Sequence, residues 1–144
     1  MQSLVCITFI FLSISARAQN QMLTVISNDK GAPTELKLSD LRSIFLGERQ
    51  RWRNGSKISI ALMKTSTPAG MFTCRKIYDM SSDDLKKFWL ALVFEGKADA
   101  PAFFNTTSEL ESFVAENPGA IGIIDQPPAS ADTHIVLIDG KKTL

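Results

Sequence analysis

One stretch limits the choice of fold more than any other. Leu38, Leu41, Phe45 and Leu46 recur at the spacing of one face of an amphipathic helix. Ser39 is a residue type that accepts a bond from a first-turn N–H, so it is the expected N-cap. Gly47 stands where such a helix ends in a left-handed residue. A basic loop with one tryptophan runs to Asn54-Gly55, and the alternating run Ile58-Ser59-Ile60-Ala61-Leu62 follows. Helix, stop, turn and strand within about twenty-five residues describe a tight α/β packing unit, given how short such connections usually are.

The rest of the chain repeats that grammar. Met22 to Ser27 reads as a first strand and Asn28 to Gly31 as its turn, with Ala32 to Lys37 a connecting loop. After the strand Ile58–Met63, Thr67 fits an N-cap and Pro68 a first helical position, where its missing N–H costs nothing; a helix to about Asp79 is expected. Gly70 weakens the first turn of that helix. Ser81 begins a further helix, and Asp83 and Asp84 complement the positive end of its dipole. Leu85, Phe88, Trp89, Leu92 and Val93 form its apolar face and Gly96 stops it. Ala98 to Asn105 is a loop. Thr106 with Glu109, or Ser108 with Glu111, has capping-box spacing for a last helix ending at Asn117-Pro118-Gly119. Ala120 to Ile124 and Thr133 to Ile138 are the closing strands. The expected fold class is α/β: a small, mixed, twisted sheet of about four strands with helices packed on it.

Residues 1–18 stand apart. Leu4 to Ile14 is almost wholly apolar but too short to span a bilayer, and Ala16-Arg17-Ala18 has small-x-small cleavage character. The segment reads as a signal peptide cut before Gln19, with an uncleaved anchor as the alternative, and 19–144 as one exported domain. Export implies the periplasm and no stable membrane insertion after signal removal. The whole chain carries 16 Lys+Arg against 15 Asp+Glu, and the segment holds one Arg and no acid. The mature net charge is therefore near zero, which gives no reason to expect nucleic acid as a partner. Arg49, Arg51 and Arg53 around Trp52 suit either a solvated loop with Trp52 folded back over the helix or a stacking platform for single strands. Cys6 leaves with the signal, so Cys74 has no intrachain disulfide partner and reads as a buried small apolar group.

The sequence contains no G-x-S-x-G, Walker loop or H-E-x-x-H, and His134 is the only histidine. A metal site on His134, Asp132 and Asp139 would lack recognised ligand spacing. No catalytic residue, metal or cofactor is expected. The place that can take a ligand is the loop from the second strand into its helix, where Thr65, Ser66 and Thr67 combine hydroxyls with outward-pointing backbone N–H groups. The alternative there is plain capping.

Three segments carry a family resemblance. "LSDLRSIFLGERQRWRNGSKI", Phe88-Trp89 with Phe94-Glu95-Gly96, and "VAENPGAIGI" at Val114 to Ile123 resemble, in order and spacing, motifs of the phosphate-type periplasmic solute-binding proteins. The resemblance spans nearly the whole mature chain but only one lobe of the two-lobed, type 2 periplasmic-binding fold. It implies a solute-binding-like domain for a small anion such as phosphate, serving an ABC transporter or a sensor protein in the membrane. It also places Ser66 at the family's Ser, Thr67 at its Gly, Pro68 at its Thr and Ala69 at its Arg. The bidentate cationic partner for phosphate is therefore replaced. The other reading is a periplasmic protein-interaction or sensory module that has lost ligand binding, its former inter-lobe surface meeting a partner or a second copy.

Overall fold

The computed structural model describes residues 22–144; the segment 1–18, read above as a signal peptide, lies outside the described residues. Five strands form one mixed sheet: β1 (Thr24–Asn28), β3 (Ser59–Met63), β4 (Ala102–Phe104), β5 (Ala120–Ile124) and β6 (Thr133–Ile135), in the spatial order β4-β3-β5-β1-β6. β3 runs parallel to both β4 and β5, while β1 is antiparallel to β5 and β6. A two-stranded parallel patch, β2 (Glu35–Leu36) with β7 (Leu137–Ile138), lies beside it.

β5 explains why the sheet needs cover on both faces. All five of its residues are buried, so Ala120 and Ile124 project to one side and Ile121 and Ile123 to the other. Helix α4 (Thr107–Glu116) covers the first side through Leu110 and Val114. It comes so close that a Cβ on Gly122 would stand 2.8 Å from Leu110 Cδ2. The other side carries α1 (Leu38–Phe45) and α3 (Ser82–Phe94). An aromatic chain joins them: Phe45, Tyr78, Phe88 and Trp89 meet edge to face at centroid separations of 6.4, 6.5 and 5.4 Å.

Several expectations hold. Gly47 ends α1 at φ +75°. Ser81 Oγ accepts from Asp84 N at 3.1 Å, and Thr106, rather than Ser108, caps α4 by accepting from Glu109 N at 3.2 Å. Cys74 is buried, and burial pushes its thiol above the ordinary range. It is therefore expected to resist iodoacetamide in buffer and to be labelled once urea unfolds the chain; fast labelling of the native protein would contradict its placement.

Other expectations need correction. Ser39 is not the N-cap: α1 starts at Leu38 after Lys37, which makes no side-chain cap. Instead Asp139 Oδ1, far along the chain, accepts from Leu38 N at 3.3 Å. Two segments read as loops contain the short strands β2 and β4, each too brief to show alternation. The run Thr133–Ile138 is two strands: Val136 N still donates to Val25 O, but Leu137 N turns to Thr34 O. The helix expected over 68–79 is α2 (Pro68–Thr73) continued by a wider π-type turn, Cys74–Tyr78, and Asp79 closes it at φ +51°. Trp52 folds back, as the first of its two readings has it; it is only 4 % exposed and its indole N–H donates to Gly119 O at 2.9 Å, so the alternative of a stacking platform falls. On α3, Leu85 and Trp89 are buried, while Phe88 and Leu92 are only partly so. Val93, in the expected apolar face, is 45 % exposed.

Glu111, free of the capping role, is buried and points to the loop before β6. Its Oε1 accepts from Ala129 N at 2.6 Å and from Ser130 N. Glu111→Ala leaves two N–H groups without their charged acceptor and is expected to cost about 2–3 kcal/mol. Amide exchange at Ala129 and Ser130 should rise in Glu111→Ala and stay slow in Glu111→Gln.

Candidate functional site

The parallel strands β3, β4 and β5 end together at Met63, Phe104 and Ile124. Open α/β sheets take ligands outside the carboxyl ends of such strands. Lys64 N donates to Phe104 O at 2.9 Å and ties the two exit loops together. The N-termini of α2 and α4 start at this edge, capped by Thr67 and Thr106. Between them lies a shallow cleft of about 460 Å³, lined by Thr67, Pro68, Asn105, Thr107, Asp125 and Gln126 among others. Among the described residues Asp125 is its one charged lining residue, and no lysine or arginine lines it.

The structure divides the three candidate residues. Thr67 faces this cleft, while Thr65 and Ser66 face a separate trough beside α3. Thr67 Oγ1 donates to Lys64 O at 2.7 Å and accepts from Gly70 N at 3.1 Å, so its proton is already committed within the chain. Toward an anion it presents only oxygen lone pairs. Thr65 Oγ1 and Ser82 Oγ lie 2.7 Å apart and share a hydrogen bond. Ser66 is exposed and has no partner among the described hydrogen bonds. Ala69, where the resemblance asks for an arginine, is buried. Arg75 is exposed on the π-type turn.

The backbone offers the cleft few donors. Pro68 has no N–H, Gly70 N is held by Thr67 Oγ1, and Met71 N already bonds Thr67 O. Asn105, Thr107 and Gln126 are the cleft residues that the sequence reading passed over. The polar run Asn105-Thr106-Thr107-Ser108 straight after Phe103-Phe104 was the available signal, because a strand leaving directly into a capped helix sets its polar residues at the sheet's carboxyl edge.

His134 is structural in its surroundings, its Nε2 lying 2.8 Å from Ser27 Oγ across the β1–β6 pair. Among the described residues no group of His, Cys, Asp and Glu is placed to hold a metal ion. No helix among them is long and apolar enough to cross a membrane.

Sheet order, the paired helix N-termini at the carboxyl edge and the return strand β6 define one lobe of a periplasmic-type solute-binding fold. Solved structures similar to this chain include phosphate-type members of that class. An ABC-type phosphate transport receptor from Vibrio cholerae superposes with a TM-score of 0.66 at 16 % identity, covering 85 % of this chain and 48 % of the receptor. PstS from Borrelia burgdorferi gives a TM-score of 0.62 at 17 % identity, covering 83 % of this chain and 48 % of that protein. The chain thus matches about half the length of these proteins, as a single lobe does, and at such identity the likeness is one of fold. No family model matches the sequence, and neither does any curated protein.

Proposed function

We propose that this chain is an exported, periplasmic solute-binding-like domain that takes a small anion, phosphate or similar, at the Thr65-Ser66-Thr67 loop for an ABC transport or sensing system. The observation that carries the reading is the loop's position: it leaves the carboxyl edge of three parallel strands, and the exposed Ser66 hydroxyl on it has no partner among the described hydrogen bonds. A single lobe leaves the anion wet on one side, and Ala69 supplies no charge. The expected affinity is therefore weak, with Kd on the order of 1 mM. Titration calorimetry with phosphate and sulfate tests it. Saturable heat that Ser66→Ala removes supports the site; no heat at tens of millimolar ligand, an order above that Kd, counts against it.

The second reading, a protein-interaction or sensory module, is favoured by one observation. Leu90, Val93 and Phe94 stand 68 %, 45 % and 92 % exposed on one helix. A chain that sediments as a monomer and captures no partner from envelope extract would speak against it.

A further inference from the structure

The trough beside α3 differs in kind from the strand-end cleft. It encloses about 540 Å³ and its walls are mainly apolar: Leu85, Trp89, Leu90 and Val93 from α3 on one side, Ala100 and Phe103 across from them. Small-molecule sites are commonly apolar hollows of roughly 300–1,000 Å³ with a few polar groups at fixed places. Here the polar groups gather at one end. Ser82 Oγ bonds Thr65 Oγ1, which sets Thr65 and Ser66 beside the first turn of α3, and Lys64 and Lys86 line the same hollow. Leu90 and Val93 lie one and two turns further along the helix.

Among the described residues neither Lys64 nor Lys86 is in an ion pair. Among the same residues the trough lining holds no carboxylate. The nearest acids on α3 do not answer these lysines either: Asp83 and Asp84 sit in its first turn outside the lining, and Glu95 just past its end pairs with Lys97. The hollow is thus graded, with two unanswered ammonium groups and hydroxyl donors at one end and hydrocarbon along the rest.

The geometry points to a binding site for an amphiphilic anion, an unbranched acyl chain ending in a carboxylate. The head group sits between Lys64 and Lys86 with the Ser66 hydroxyl, and the chain lies along Leu90, Val93 and Phe103. Phosphate alone would leave the apolar wall wet. A second copy of this chain would bring no acid to the lysines from its own trough lining. The inference shares Ser66 with the small-anion reading but does not depend on it.

Decanoate is the probe, titrated below its micelle concentration into the full mature chain by calorimetry, with decanol and inorganic phosphate alongside. Saturable decanoate binding with a negative heat-capacity change is expected. Decanol should bind about tenfold more weakly, the loss of one charge-assisted bond, and Lys64→Gln/Lys86→Gln should lose about the same factor for decanoate. Leu90→Asp should abolish binding; Leu90 is largely exposed, so the variant is expected to fold, and circular dichroism checks that. Absent saturation overturns the inference, as does equal binding of decanol or full binding by Leu90→Asp. So does sedimentation showing a dimer through this face that Leu90→Asp dissociates, with no decanoate bound. Decanoate binding without phosphate binding removes only the small-anion reading, and the reverse removes only this one.

Discussion

Phe45→Ala is expected to lower stability by about 3–5 kcal/mol, the usual cost of a cavity this large. Phe45 is fully buried, closes α1 against the sheet and meets the edge of Tyr78. The contact with Tyr78 accounts for about 0.5–1.5 kcal/mol of that cost. Domains of this size rest on about 5–15 kcal/mol in all, so the variant gives up a large share of the total. At about 4 °C per kcal/mol the melting temperature should fall by roughly 12–20 °C. Thermal unfolding followed by circular dichroism measures it. A drop of only a few degrees would mean that α1 does not pack as described.

Gly70→Ala should also destabilise, by about 3 kcal/mol, although helix propensity alone assigns the change a gain of about 1 kcal/mol. The two arguments have opposite signs, and geometry decides between them. A Cβ on Gly70 would stand 2.0 Å from the Lys64 carbonyl oxygen and 2.7 Å from that of Met63. Both are backbone atoms at the end of β3 and cannot rotate away. Either β3 and α2 separate or the loop Lys64–Thr67 is remade. The same shift would break the Thr67 cap on Gly70 N. Urea unfolding of the variant gives the sign directly, and a stabilised Gly70→Ala would contradict the close approach of strand and helix.

Gly70 also shows where a sequence stops being legible. Read locally, it weakens a helix; in the fold, it lets that helix begin against a strand end. Capping signals that act within one turn could be read correctly, as Ser81 and Thr106 show. The cap on α1 could not, because Asp139 reaches it from the far end of the chain. Strands β1, β3 and β5 announce themselves by length and apolar content. β2 and β4 have two and three residues, and only their neighbours make them strands. That Trp52 folds back from its run of arginines was one of two readings, but its partner could not be read: Gly119 lies sixty-seven positions away.

The candidate site follows the same division. That a capped loop lies between β3 and α2 was readable from Thr67-Pro68. Which hydroxyls face which hollow depends on Ser82 and on the ends of β4 and β5, and no spacing rule records that. The trough depends on Leu90 and Val93 of α3 lying opposite Phe103 of β4, and on α3 keeping an apolar side that no other described residue fully covers. A periodicity argument assigned Val93 to the core because a helix with such a face normally buries it.

The central claim is that one lobe of this fold, with its core closed by Phe45, Trp89 and both sides of β5, holds together by itself. Urea denaturation of the isolated segment 19–144, followed together by near- and far-ultraviolet circular dichroism, tests that most directly. The account predicts one cooperative transition with both signals coincident. A chain with helical far-ultraviolet signal but no near-ultraviolet signal, binding a hydrophobic dye in buffer, would contradict it.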